Sequence, residues 1–286
     1  MKTLYPAALE AIGAWAKESG IPVQEARVRF AQYGVLRAIA SSLRLSRDLV
    51  FKGGNALDFV WSPNRSTRDL DFSALDPIEG PDLKALLQSG LQEVTRQLGT
   101  AYLVQKVERQ PPGPEKVFVT YDVRVGYALA DQDSIRKRMA AGQTSPQVVP
   151  LDVSLNEPVC AHAPVSVGGA HDLRVSTRED ILAEKLRSLL QQPIRNRYRR
   201  QDLLDIAVLL QSQEPDLALV AAFLQTKAAA RSVPVSRTAF HDPEVARRAH
   251  QDYDALANTT RTSFVPFDEA LRVLLDLVNR LEIPER

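Results

Sequence analysis

Along the first two-thirds of the chain, the apolar positions mix helical spacing with strict alternation. Up to about Leu45 they read as two amphipathic helices, with Pro22 at the first position of the second. A short apolar piece, Leu49-Val50-Phe51, then meets Gly53-Gly54, and Asn55 to Trp61 reads as a short helix. Arg68 to Phe72 reads as a strand, with Leu70 and Phe72 alternating against Asp69 and Asp71. A helix is expected at about residues 82–97, followed by strands at Ala101–Val107 and Val117–Val125. In the second of these Val117, Val119, Tyr121, Val123 and Val125 share one face. The QPPGPEK segment between them reads as a turn, and residues 130–147 as polar and irregular. Leu151, Val153 and Leu155 mark a further strand that turns Asp152 and Ser154 to its other face.

From Ser176 onward the spacing is helical to the end. Ser176-Thr177-Arg178-Glu179 offers a capping-box start. Helices are expected at about 177–191, 200–212, 215–230, 242–257 and 267–281. This layout predicts an α+β protein: a mixed-sheet core with flanking N-terminal helices, then a C-terminal helical bundle. The expected domains are residues 1–170 and 171–286, with the boundary around Gly168-Gly169. No internal repeat or low-complexity segment interrupts the pattern.

Composition narrows the function classes. With 286 residues, 44% apolar and 25% charged, the chain has ordinary globular proportions. A net charge of +1 excludes a global basic field, so any nucleic-acid contact has to come from a local patch. Cys160 is the only cysteine, which excludes an internal disulfide or a multi-cysteine zinc site; its residue type suits a small buried hydrophobe. Glu10 and Lys17 interrupt the first helix, so it does not read as a signal peptide, and no apolar run reaches membrane-spanning length. The expectation is a soluble, cytoplasmic protein without a membrane partner.

The densest chemistry lies between Lys52 and Ser73, in KGGNALDFVW followed by STRDLDFS. Two residues apart on a strand, Asp69 and Asp71 share a face and can share a cation. Magnesium takes hard oxygen ligands, often one or two carboxylates completed by substrate phosphates. Gly53-Gly54 lets the backbone approach a phosphate closely, and Asn55 can cap the following helix or touch a phosphate. Alone, a D-x-D strand is most often a solvated face and a Gly pair a turn; in this order they resemble the nucleotidyltransferase superfamily that includes DNA polymerase beta-like and aminoglycoside-modifying enzymes. Asp152 is the best candidate for a third carboxylate, with Asp122 and Asp58 as weaker alternatives.

In the helical half, Lys185 falls inside the apolar stripe of Ile181, Leu182, Leu186 and Leu189. A buried ammonium needs an anion or has to snorkel to water; a triphosphate or a carboxylate would serve. On the next helix Asp202 lies at the edge of the apolar face, whereas Asp205 turns toward Ser212 on the polar side, as a surface or structural residue. Between these helices Arg195, Arg197, Arg199 and Arg200 surround Tyr198, either as a solvated segment or as a local site for RNA phosphates with a ring for stacking.

Four segments in order, F-K-G-G-N-A-L, S-T-R-D-L-D-F, A-E-K-L-R-S-L-L and R-R-Q-D-L-L-D-I, resemble the AbiEii family of nucleotidyltransferase toxins over about Phe51 to Ile206. Asn55 stands where Ser or Thr is commoner, and RRQD replaces the usual R-x-x-D or RD form. The resemblance implies that Gly53, Gly54 and Asn55 form the nucleotide-phosphate turn. It implies that Asp69 and Asp71 hold the metal, Mg²⁺ or Mn²⁺, with Asp152 the candidate third ligand from the strand pattern. It assigns Lys185 to the NTP triphosphate and Asp202 to the last acidic motif, so that Asp69, Asp71, Lys185 and Asp202 form the catalytic set and the helical domain completes the active site. It further implies a bacterial or archaeal toxin that transfers nucleotides, CTP or GTP being the candidate donors, to an RNA acceptor, tRNA 3′ ends, and so inhibits translation. The expected partners are the NTP, the tRNA and a cognate antitoxin that need not bind directly. Two other functions remain open at this point: transfer to a protein side chain or small molecule, and a non-catalytic nucleotide- or RNA-binding role. The intact Asp69, Asp71 and Lys185 speak against the last.

Overall fold

The computed structural model describes residues 5–65, 67–113 and 115–286. They fall into two units. One comprises Met1–Val60, Thr67–Glu157 and Ala163–Val175; the other Trp61–Ser66, Pro158–His162 and Ser176–Arg286.

The first unit is built on a sheet. Helices α1 (Ile12–Ser19) and α2 (Val23–Ala40) match the expected pair, but α2 stops five residues earlier than Leu45. The cause is local: Ser41 Oγ donates back to the Arg37 carbonyl at 2.8 Å, and Ser42 Oγ accepts from Leu45 N at 3.3 Å, which starts a separate helix, α3 (Leu43–Asp48). Then follow β1 (Leu49–Lys52) and α4 (Gly53–Ala56), which runs into one π-helical turn at Leu57–Trp61. Next come β2 (Leu70–Ala74), α5 (Gly80–Leu98), β3 (Ala101–Gln110) and β4 (Val119–Ala128). Helix α6 (Asp133–Ala140) lies where an irregular stretch was expected; it buries only Met139, so no apolar stripe betrays it. Strands β5 (Val148–Leu155), β6 (His162–Val165) and β7 (Leu173–Ser176) complete the sheet, whose order is β3-β4-β5-β2-β1-β7-β6.

The sheet is mixed. Strand β1 runs antiparallel to β2 and parallel to β7, β2 runs parallel to β5, and β4 is antiparallel to both β3 and β5. Val119, Tyr121, Val123 and Val125 are buried as the alternation predicts, but Val117 lies outside the strand and is 63% exposed. Phe51 of β1 packs on Phe72 of β2, with ring centroids 5.2 Å apart. Helices α2 and α5 pack closely on each other; a Cβ at Gly90 would stand 2.3 Å from the Ala38 carbonyl oxygen, so this approach requires glycine.

The second unit is helical: α7 (Arg178–Leu190), α8 (Gln192–Arg195), α9 (Arg200–Ser212), α10 (Leu217–Ala230), α11 (Arg237–Phe240), α12 (Pro243–His250) and α13 (Phe267–Arg280). Thr177, not Ser176, caps α7 by accepting from Asp180 N at 3.2 Å, because Ser176 is the last residue of β7. The expected helix over 242–257 is broken after His250, and a 3-10 turn at Asp254–Asn258 takes up the rest. Leu186, Leu189, Leu203, Ile206, Leu224, Tyr253, Leu274 and Leu277 belong to one buried apolar cluster. The change of unit falls at Val175–Ser176, beyond Gly168-Gly169, because β7 pairs with β1 and belongs to the sheet. Among the described residues no helix is long and apolar enough to cross a membrane. Cys160 is half-buried, and burial pushes its thiol above the ordinary range.

Candidate active site

Strand register assembles the carboxylates. Asp71 of β2 is the direct partner of Asp152 of β5, and Asp152 is the direct partner of Asp122 of β4. Direct partners project to the same face, so the three form a row across neighbouring strands. Strand β2 begins at Leu70, two residues later than expected, which leaves Asp69 at its mouth, exposed, rather than inside it. The side chains that fix this mouth come from two helices. Asn55 Nδ2 donates to the carbonyls of Thr67 and Asp69, at 2.9 and 2.6 Å. Gln32 of α2 donates to the carbonyls of Thr67 and Arg68, at 2.9 and 3.0 Å.

This corrects the expectation for Asn55. Its side chain is fully buried and both amide hydrogens are used on the loop that carries Asp69, so it offers no donor to a phosphate. Its oxygen accepts from Arg29 at 3.3 Å, and Arg29 in turn pairs with Asp58 at 2.6 Å and lies over the Phe59 ring at 3.5 Å. Asp58 is therefore a buried structural partner and not a candidate metal ligand. Arg29 and Gln32 went unnoticed in the sequence, although both sit among the apolar positions of α2, the same signal that singled out Lys185.

Gly53 adopts φ +74°, and a Cβ there would come 2.3 Å from Asp71 Oδ2. The position therefore requires glycine twice, for conformation and for space, and the turn's backbone lies directly against the Asp71 carboxylate. Gly54 follows in the first turn of α4.

The row is not evenly compensated. Asp122 is paired with Lys106 at 2.9 Å and with Arg124 at 2.7 Å. Asp152 forms no ion pair among the described residues; burial, and then the charges of Asp69 and Asp122, push its carboxyl above the ordinary range despite the weaker pull of Arg124 and Lys52. Among the described residues no group of three or more His, Cys, Asp or Glu side chains is closed around a metal position. Asp71 and Asp152, flanked by Asp69, suit instead a hard cation that takes one or two carboxylates and completes its shell from a substrate.

In the helical unit Lys185 is buried and meets two anions of its own chain, Asp202 at 2.9 Å and Asp205 at 2.6 Å. Of the partners expected for its ammonium, the structure supplies carboxylates. Burial alone would lower its pKa, but Asp202 and Asp205 outweigh that and hold the ammonium above its ordinary range. Asp205 does not turn to the polar side. It is 5% exposed and accepts two bonds from Arg65, at 2.8 and 2.7 Å, besides the one from Lys185. Its burial would raise its carboxyl, yet Arg65 and Lys185 together hold it below the usual range. The helical wheel of α9 could not show this, because Arg65 arrives from the segment between the Gly pair and Asp69.

The basic segment divides. Arg199 pairs with Asp202 at 3.8 Å and Arg200 with Asp252 at 3.4 Å. Arg195 and Arg197 are exposed and make no ion pair among the described residues. Partial burial, followed by the like charges of Arg231, Arg187, Arg197 and Arg199, lowers the Arg195 guanidinium. Tyr198 is 46% exposed, with the Arg248 guanidinium 5.6 Å from its ring centre. The arrangement is a concentrated positive surface with an accessible ring.

The chain has no sequence match among curated proteins. In fold it is similar to MenT4, a nucleotidyltransferase toxin from Mycobacterium tuberculosis H37Rv, with TM-score 0.58 and 17% identity, covering 95% of this chain and 90% of that one. It is also similar to JHP933 from Helicobacter pylori, with TM-score 0.52 and 17% identity over 90% of each chain. At this identity the likeness shows the fold alone. The family described as "Nucleotidyl transferase AbiEii toxin, Type IV TA system" matches residues 34–273, which span both the Gly53–Asp71 region and the Lys185–Asp205 region. The chain thus belongs to the AbiEii family of nucleotidyltransferase toxins.

Proposed function

We propose that the protein transfers a nucleotide from an NTP to an RNA acceptor, with Mg²⁺ held by Asp69 and Asp71 and joined by Asp152, and that tRNA 3′ ends are the acceptor. The observation that carries this reading is the register that sets Asp71 beside Asp152 with the Gly53 turn against Asp71. The metal, when bound, supplies charge for the reacting phosphate and activates the attacking hydroxyl. The chain's own residues do the rest. Gly53 and Gly54 bring backbone to the phosphates, Asn55 and Gln32 hold the Asp69 loop in place, and Arg195 and Arg197 hold acceptor phosphates while Tyr198 stacks on a base. Inhibition of translation follows from capping tRNA ends. A cognate antitoxin is the expected partner, with no direct contact required, and the cytoplasm the expected compartment.

The test is incubation with each labelled NTP and Mg²⁺, with tRNA, with protein, and with neither. Label in tRNA supports the reading; label confined to protein sinks the RNA acceptor while keeping the enzyme. Replacing Arg195 and Arg197 together by alanine is expected to weaken RNA binding and lower its salt slope by roughly 0.7–0.9 per lost phosphate contact. An unchanged slope would make the segment merely solvated. The contact with the triphosphate that the family resemblance assigns to Lys185 is tested by Lys185→Met. A folded variant with lowered kcat supports it, and full activity in the folded fraction would leave Lys185 a structural partner of Asp205.

A further inference from the structure

Lys52 ends β1 and directly precedes the Gly53 turn. Its register partner on β2 is Asp71, so its side chain shares a face with Asp71 and Asp152. It stands next to Asp71 at the β1 end of the carboxylate row. Its ammonium is ion-paired with Glu157, two residues beyond β5, and the two side chains are only 15% and 7% exposed. We propose that Lys52 is a ligand of the terminal phosphates of the NTP and that Glu157 is the anion whose place in the pair the phosphate takes; this rests on the nucleotidyl-transfer reading above.

The chemistry of lysine favours the exchange. Its ammonium is a point charge with rotatable donors, so it passes from a carboxylate to a phosphate without matching a planar geometry. The position favours it too. The backbone next to Lys52 is the Gly53 turn that lies against Asp71, and a triphosphate bridged to those carboxylates brings negative charge to that spot.

The two roles, phosphate ligand and strut between β1 and the segment after β5, give opposite results for Glu157→Gln. A competing anion removed strengthens NTP binding, whereas a strut removed does not. The experiment measures equilibrium binding of each of the four NTPs, with Ca²⁺ in place of Mg²⁺ to suppress transfer, to wild type, Glu157→Gln, and the double variant Lys52→Met with Glu157→Gln. The double variant removes both charges and leaves neither buried alone. Glu157→Gln is expected to bind the preferred NTP at least as tightly as wild type, and the double variant about tenfold more weakly than Glu157→Gln, a loss of about one strong charged contact. A nucleoside monophosphate should show little difference between the two. Equal NTP affinity in both variants, or weaker binding by Glu157→Gln than by wild type, overturns the proposal. If the double variant does not fold, wild type answers alone: NTP should shield Lys52 from acetylation, read by mass spectrometry, and an unshielded Lys52 overturns it. A wild type that binds none of the four NTPs overturns the nucleotidyl-transfer reading as well; one that binds NTP with Lys52 uninvolved overturns only this inference.

Discussion

The sheet unit and the helical unit each concentrate acidic side chains, and the two do so on opposite terms. In the sheet unit Asp69, Asp71 and Asp152 bring like charges together at the mouth and middle of neighbouring strands, and Asp152 is pushed toward its neutral form. In the helical unit Asp202 and Asp205 meet Lys185, and Asp205 also meets Arg65, so the buried charges answer one another. A carboxylate such as Asp152, which burial and like charges push toward its neutral form, works against the fold and makes sense for a ligand. A balanced buried cluster needs no ligand, yet it becomes costly the moment one member is lost. Acidic residues in one chain can therefore be sorted by what answers their charge, and mutation should separate the two groups by whether activity or stability fails.

The largest effect is expected at the sheet. Asp71→Ala should reduce nucleotide transfer by about a thousandfold or more, since a lost metal ligand removes several kcal/mol of transition-state stabilisation. Asp69→Ala should behave alike. Asp69→Ala should also melt within about 2 °C of wild type, because its carboxylate is exposed. Near-normal transfer by Asp71→Ala would remove the metal assignment.

Next comes Asp205→Asn. It removes the buried carboxylate that meets both Arg65 and Lys185, a loss of about 3–5 kcal/mol by analogy with broken buried pairs. At about 2–4 °C per kcal/mol for a domain-sized unit, the midpoint should drop by roughly 10 °C. A melting curve that overlays wild type would mean the cluster is not what the geometry indicates.

Acid and alkali sharpen the contrast. The Asp205 carboxyl is lowered on folding, so its share of stability is complete above the ordinary carboxylate range and is lost as pH falls through the depressed folded value. The Lys185 ammonium is raised, so its share is complete below the ordinary lysine value and is lost as pH rises through the folded one. Asp152 runs the other way from Asp205: raised on folding, it adds stability as pH falls through its folded value. Urea midpoints should stay level for the helical unit from about pH 5 to about pH 10 and decline in stronger acid. Asp205→Asn should flatten that decline, and an equally steep one would assign it to other carboxylates.

The same contrast shows what the sequence could reveal. Alternation exposed Leu70 and Phe72 against Asp69 and Asp71, because one face of an open strand is apolar and the other is not. Lys185 stood out because a charge inside an apolar helical stripe is costly without a partner. The partners themselves stayed hidden. Asp205 lies on the polar side of α9 by its spacing, yet it is buried and paired with Arg65, 140 residues earlier, as well as with Lys185. Asn55 is adjacent to the Gly turn and invites a phosphate role; its hydrogen bonds to the Thr67–Asp69 loop depend on a chain path that spacing does not encode. Helix α6 has no apolar stripe, and β6 and β7 are four residues each, too short for a period to register. Side chains facing the core followed from the pattern; polar pairings that close over long sequence distances did not.

The smallest expected effect is the most direct reading of the difference between the two units. Asp152→Asn keeps the shape of the side chain and removes a charge that folding disfavours. In the presence of a chelator the variant should melt about 1–3 °C above wild type, since a charge disfavoured by burial and then by Asp69 and Asp122 is gone and less than about 1 kcal/mol is at stake. Adding Mg²⁺ should reverse the order. A ligand that binds only the folded state stabilises it by an amount set by its concentration over its Kd. Wild type, with the stronger site, should gain more than the variant and overtake it. Asp205→Asn gives no such crossing, because its partners are built into the chain and no cation replaces them. A chelated Asp152→Asn protein that melts below wild type would mean that Asp152 is held for the fold, and the distinction between the two acidic clusters would have to be drawn elsewhere.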